Sequence, residues 1–163
     1  GRFIAALGAQ VGVDPARAPL AIAARLGVAA VQAVAERLPV RAASCGAVLF
    51  VVALSFVADP MAALREARRV LAPRGAVIIG EVPASSPMGK RYRAMGAAGH
   101  PFYHQARFFT PEALAGLLAA SGLQTDRIRS SRLDRDGGAD TPGSTFEGLD
   151  HQANFVAVSA RPW

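Results

Sequence analysis

The sequence predicts an α/β fold built on a doubly wound, mostly parallel sheet with an antiparallel strand toward one edge. Three observations carry this. Short apolar runs alternate with stretches of helical period, the pattern of a parallel sheet with covering helices. Val11-Gly12-Val13-Asp14-Pro15 reads as a buried strand that ends on a carboxylate, since Pro15 blocks its continuation. Residues 46–54 (GAVLFVVAL) are too uniformly apolar for a half-exposed strand, which places them centrally in the sheet.

In chain order, Gly1-Arg2-Phe3 leads into a two-turn helix that Gly8 stops. Residues 10–13 form the strand before Asp14, and residues 16–25 form a helix entered through Asp14-Pro15 and ended at Gly27. Residues 29–34 are the next strand, followed by the loop Glu36-Arg37-Leu38-Pro39-Val40. After the central strand, Asp59-Pro60 supplies an N-cap and a first-turn proline for a helix over 61–71, with Ala63, Leu64, Ala67, Val70 and Leu71 on its apolar face. Ala72-Pro73-Arg74-Gly75 is a turn into a buried strand over 76–80 that ends at Glu81. Residues 82–105 lose regular periodicity and turn to Pro, Gly, Ser, Arg and Tyr; lying past a strand's carboxyl end, they are placed to line a site as a lid. Thr110-Pro111-Glu112 opens a last helix, with Leu114, Leu117 and Leu118 on one face and Gly122 as its stop. Residues 125–133 and 152–160 read as edge-side strands joined by a polar, mobile loop over 134–145.

Composition bounds the function. With 163 residues the chain is one domain. Apolar residues make up 52%, yet no run approaches the ~20 residues of a membrane span, so no membrane partner is expected. The lone Cys45 excludes an internal disulfide framework and cannot build a zinc site; it fits a reducing cytoplasm, and no metal is expected. The net charge is +6, but the basic residues are arginines apart from Lys90, scattered along helices without interleaved aromatics. Nucleic acid is therefore not an expected partner. Asp14, at the carboxyl edge where open α/β sheets bind ligands, either caps the following helix or accepts hydrogen bonds from both hydroxyls of a ribose.

Four pieces stand together: Val11-Gly12-Val13-Asp14-Pro15, Ala35-Glu36-Arg37-Leu38-Pro39, the strand over 47–54, and Glu66-Ala67-Arg68-Arg69-Val70-Leu71-Ala72-Pro73-Arg74-Gly75. In this order and at these separations they resemble the class I S-adenosylmethionine-dependent methyltransferases of the small-molecule type, over nearly the whole chain. The segment Ser86-Pro87-Met88-Gly89-Lys90-Arg91-Tyr92, with Phe102-Tyr103 and Ala106-Arg107-Phe108-Phe109-Thr110, is similar to a bacterial and archaeal subgroup. The resemblance implies a Rossmann-like fold and S-adenosylmethionine as cofactor. It matches Gly1 to the last glycine of the family's Gly-rich turn, so the chain is expected to be an amino-terminally truncated domain without the family's first strand. That strand belongs between the strand ending at Asp14 and the one ending near Leu54.

The resemblance also implies roles. Asp14 would hold the ribose hydroxyls, Pro15 would lie against the adenine, and Leu54 would join the cofactor contacts at the end of the central strand. Where the family often has Asp-Ala to read adenine, this chain has Val34-Ala35. Adenine recognition therefore falls to backbone groups at Ala35 and to packing, with Gln32 or Glu36 as substitutes. Methyl transfer from a sulfonium asks mainly for alignment, so no fixed triad is expected. If a small-molecule acceptor, an amine or hydroxyl, must lose a proton, the candidates are Glu81, Tyr92, His100, Tyr103 and His104. Tyr92, Phe102, Tyr103 and His104 would contact that acceptor. Two other classes compete. An NAD(P)-type oxidoreductase shares the strand-Asp signal but needs a catalytic pair such as Tyr-x-x-x-Lys, and Tyr92 follows Lys90 by only two residues. A non-catalytic binding module is the third reading. The sequence leaves the oligomeric state open.

Overall fold

A computed structural model of the chain describes residues 6–136 and 139–163. The chain runs β1 (Val11–Asp14), α1 (Arg17–Arg25), β2 (Ala29–Gln32), β3 (Cys45–Val51), a 3₁₀ turn (Leu54–Phe56), α2 (Pro60–Val70), β4 (Leu71–Glu81), α3 (Pro87–Ala97), α4 (Pro111–Ala120), β5 (Leu123–Asp136), β6 (Ala139–Glu147) and β7 (Phe155–Pro162). These build two sheets: a parallel pair β1-β2, and five strands in the order β3-β4-β7-β5-β6. β3 and β4 are parallel, whereas β7 runs antiparallel between β4 and β5.

The main core lies between the five-stranded sheet and one helical layer. α2 turns Ala63, Leu64, Ala67 and Val70 onto it, α4 adds Leu114 and Leu118, and Val77, Ile79, Val156 and Val158 meet them from β4 and β7. Each fully buried Leu, Ile or Val contributes about 1.5–3 kcal/mol. The helix starts are those read from sequence. Asp59 Oδ1 accepts from the Ala62 N–H at 3.0 Å ahead of Pro60, and Thr110 Oγ1 accepts from the Ala113 N–H at 3.2 Å ahead of Pro111. α1 packs on the β1-β2 pair through Leu20 and Ala23.

Several expectations are corrected. β3 is an end strand of its sheet, and Phe50 is its only buried residue, because no strand among the described residues pairs with its free edge. β1 likewise pairs only with β2. The turn at Ala72-Pro73-Arg74-Gly75 is a bulge inside β4: between two paired positions β3 advances from Cys45 to Ala47 while β4 advances from Leu71 to Ala76. Residues 82–105 contain α3, whose N-cap Ser86 accepts from the Gly89 N–H at 2.9 Å. The polar stretch after 133 is drawn into β5 and β6 instead of a loop, because the β5 ladder continues into β6 from Arg129↔Glu147 to Asp136↔Ala139. None of the described helices is long and apolar enough to cross a membrane.

Candidate functional site at the strand ends

Asp14 closes β1. Its Oδ1 accepts from the Ala16 N–H at 2.8 Å, which closes the turn leading into α1, while Oδ2 has no partner among the described residues. Gln32, at the end of β2, donates from Nε2 to the Pro15 carbonyl at 2.9 Å and so locks the two strand ends together. Asp14 does not cap α1, whose N-cap Ala16 has no side-chain hydrogen bond; one carboxylate oxygen closes the turn ahead of the helix and the other has no partner among the described residues. A half-exposed carboxylate with one unspent oxygen fits a ribose diol, which needs an acceptor at a fixed strand end.

The neighbouring residues are placed differently. Glu36 is anchored through Oε1, which accepts from the Asp59 N–H at 3.0 Å at the start of α2, and its Oε2 has no partner among the described residues. Gln32 gives one Nε2 hydrogen to Pro15 and keeps its Oε1 without a partner among the described residues. Ala35 packs half-buried against the core. Pro15 is exposed. Leu54 is completely buried within the core, so no part of it is open to a ligand. Gly1 lies outside the described residues.

At the carboxyl end of β3 the chain takes a strained turn. Val52 adopts a φ of 51°, a left-handed conformation that a β-branched residue disfavours, and its N–H donates to the Gly80 carbonyl at 2.7 Å. Gly80 itself has no room for a side chain, because a Cβ there would stand 2.6 Å from the Phe155 ring. The turn is then pinned by Glu81, whose Oε2 accepts from the Ser55 hydroxyl at 2.8 Å and whose Oε1 accepts from the Ser55 N–H at 3.3 Å. Burial pushes the Glu81 carboxyl above the usual carboxylate range, and the Ser55 hydrogen bonds pull it partly back. Val52 and Ser55 were not singled out from sequence. No turn signal marks a Val in an apolar run, and 26 residues separate Ser55 from Glu81.

The segment after α3 folds onto the same turn. Arg107 donates its backbone N–H to the Ser55 carbonyl at 2.7 Å and its guanidinium to the Ala58 carbonyl. Phe56, the residue after Ser55, packs on Phe102 with ring centroids 4.7 Å apart. Phe102 meets Tyr103 edge-on at 5.2 Å, and Tyr103 stacks on Tyr92 at 4.5 Å with Phe108 behind both. The structure therefore joins Tyr92, Phe102 and Tyr103 in one cluster and links it through Phe56 and Ser55 to Glu81. Phe102 is 60% exposed, so its ring is the cluster's open face.

The ionisable candidates separate by geometry. Burial and the Tyr92 hydroxyl raise the Tyr103 phenol above its ordinary range, which disfavours it as a base. His100 Nδ1 accepts from the Phe102 N–H at 3.2 Å, so the neutral ring carries its proton on Nε2. His104 is the reverse. Its Nδ1 faces the Pro101 carbonyl at 2.8 Å and must carry the proton, which leaves the Nε2 lone pair on an exposed ring. Glu81 also borders a cavity of about 30 Å³ walled by Phe109, Leu114, Leu118 and Val156, too small for an acceptor.

This arrangement has relatives. Residues 1–79 match the family model described as "Methyltransferase domain". An uncharacterized protein of Mycobacterium tuberculosis is 40% identical over 161 residues, which cover 98% of this chain and 56% of that protein. The chain thus spans little more than half the length of the curated relatives it matches first. Among solved structures, an S-adenosylmethionine-dependent methyltransferase of Thermotoga maritima, described as a possible histamine N-methyltransferase, superposes with a TM-score of 0.91 at 31% identity, covering 100% of this chain and 77% of that one. An O-methyltransferase from neocarzinostatin biosynthesis, in complex with S-adenosyl-L-homocysteine and a dihydroxynaphthoic acid, shares the fold at a TM-score of 0.56 and 15% identity, covering 90% and 38%. With the sheet order, the carboxylate at the end of β1 and this degree of likeness in hand, the chain belongs to the class I S-adenosylmethionine-dependent methyltransferases.

Proposed function

We propose that the protein transfers the methyl group of S-adenosylmethionine to a small-molecule amine or hydroxyl by in-line displacement. The observation that carries this reading is the unspent Oδ2 of Asp14 at the end of β1, where Oδ1 accepts from Ala16 and Gln32 holds the neighbouring Pro15. Asp14 would accept from the ribose hydroxyls. Adenine contact would fall to the backbone near Ala35 and to packing beside Pro15, with Gln32 Oε1 or Glu36 Oε2 as the side-chain readers.

The cofactor, when bound, supplies an already activated methyl group on a sulfonium. The work left to the chain is to orient the acceptor and keep water out. Phe102 and Tyr103, braced by Tyr92 and Phe56, form a wall suited to a flat or apolar acceptor. Among the ionisable candidates His104 is the best general base, because its Nε2 lone pair is unspent. Glu81, with both oxygens engaged by Ser55, supports the β3 turn and does not move protons. The likeness to the Thermotoga maritima enzyme, with its description as a possible histamine N-methyltransferase, makes amines the first class to try.

The test is transfer of a labelled methyl group from S-adenosylmethionine by the full-length protein to a panel of small amines, phenols and carboxylates. Labelled product with an amine or phenol, lost in a His104→Ala variant that still binds cofactor, supports the assignment. Cofactor binding without transfer to any member favours a binding module.

A further inference from the structure

A second feature lies away from the strand ends, beside the last turns of α2. Arg65, Arg68 and Arg69 line a groove of about 360 Å³ whose floor is apolar, formed by Leu71, Ala72 and Pro73. The spacing follows from the helix. Ala63, Leu64, Ala67 and Val70 face the core, so positions 65, 68 and 69 share the opposite side.

The three arginines are not equivalent. Arg69 is spent: it grips Glu66 at 2.7 and 2.8 Å and donates to the Val40 and Leu38 carbonyls, both at 3.0 Å. Glu66 is spent as well, since Oε2 also accepts from the Leu38 N–H at 2.9 Å. Arg65 and Arg68 have no hydrogen-bond or ion-pair partner among the described residues. Arg68 is nonetheless held in place, because its guanidinium occupies the niche over Gly122, where a Cβ would stand 3.0 Å from Nε. Gly122 ends α4 at a φ of 74°.

A helix carboxyl terminus ordinarily repels anions through its free carbonyls. Here three of the last four carbonyls are used. The Ala67 carbonyl accepts from Leu71, the Arg69 carbonyl from Ala43 and the Val70 carbonyl from Ser44. The two free guanidiniums therefore set the charge of the groove. At i and i+3 their Cβ atoms stand about 5–6 Å apart, a span that suits the adjacent anionic groups of one diphosphate.

We propose that this groove binds the diphosphate group of a small molecule, Arg65 and Arg68 each taking one phosphate, independently of the methyl-transfer site. Nucleic acid is the weaker fit. The groove offers two unspent guanidiniums and no aromatic platform, whereas a strand needs a longer basic track and stacking surfaces.

The experiment titrates inorganic pyrophosphate and, separately, ADP into the full-length protein by calorimetry, with duplex DNA as a competitor. The expected result is saturable one-to-one binding that weakens at least tenfold in R65A/R68A, less in R65K/R68K, and not at all in the distant R25A. The lysine pair keeps the charge and guards against a folding defect in the alanine pair. Tighter binding of ADP than of pyrophosphate assigns the diphosphate to a nucleotide, and equal binding assigns it to a free or non-nucleotide diphosphate; both support the site. Absence of saturable binding, an equal loss in R25A, or displacement by DNA at equal phosphate concentration overturns it.

Discussion

Ser55 donates twice to Glu81, from its hydroxyl at 2.8 Å and from its N–H at 3.3 Å, and so ties the turn after β3 to the end of β4. A carboxylate used in this way is held for shape, and its burial gives the protein a definite pH response. The folded-state carboxyl titrates above its unfolded value. Below the unfolded value both states are protonated and burial costs nothing. As pH rises through the raised folded value stability falls, and the loss is complete above it.

Glu81→Gln keeps an acceptor for the Ser55 hydroxyl and removes the titration. It is therefore expected to flatten the decline, gaining on the wild type by on the order of 1 kcal/mol as pH rises from the acid range to neutrality. Thermal melts of both proteins across that range check this. A variant that loses ground as pH rises would mean that the ionised carboxylate stabilises the turn.

Tyr103 touches four other rings, Tyr92, His100, Phe102 and Phe108. Tyr103→Ala is expected to lower turnover with the acceptor and to cost about 1–3 kcal/mol of stability from lost aromatic contacts, while cofactor affinity changes by less than about twofold. Binding and methyl transfer measured on the same variant separate these effects. A parallel fall in both assigns Tyr103 to the cofactor site or to the fold.

The two sheets differ in support. β1 and β2 form an isolated parallel pair, and Val11 is 49% exposed on it, whereas β4 is paired on both sides over a buried core. A two-stranded ribbon is marginal in water. In the 163-residue chain alone, amides of β1 and β2 are expected to exchange with solvent from openings at least about 2 kcal/mol easier than those of β4 and β7. Hydrogen exchange resolved by residue checks it. The same unpaired edges of β1 and β3 predict that this chain aggregates or binds cofactor weakly. Uniform protection across both sheets, or a monomer that binds cofactor tightly, would contradict this.

Much of the fold was legible because its signals were local. Asp59-Pro60 and Thr110-Pro111 announced two helices, and the apolar runs announced β3 and β4. α3 was missed although Ser86-Pro87 carries the same start signal, because Gly89 and Gly96 blur the periodicity that follows. β6 was missed because its pairing with β5 is set by register and not by apolar content. In the site, Asp14 was legible from its place after a strand. The engagements of Glu36 with Asp59 and of Glu81 with Ser55 were not, since each joins residues more than 20 positions apart.

The reading as a whole rests on Asp14. Calorimetric titration of S-adenosylmethionine into the full-length protein and its Asp14→Ala and Asp14→Asn variants isolates that carboxylate, because Asn keeps the acceptor for the Ala16 N–H and loses the charge. Alanine is expected to weaken binding by about 1.5–3 kcal/mol, with asparagine in between. Equal affinity in all three proteins would contradict the ribose assignment and leave Asp14 as the acceptor that closes the turn before α1.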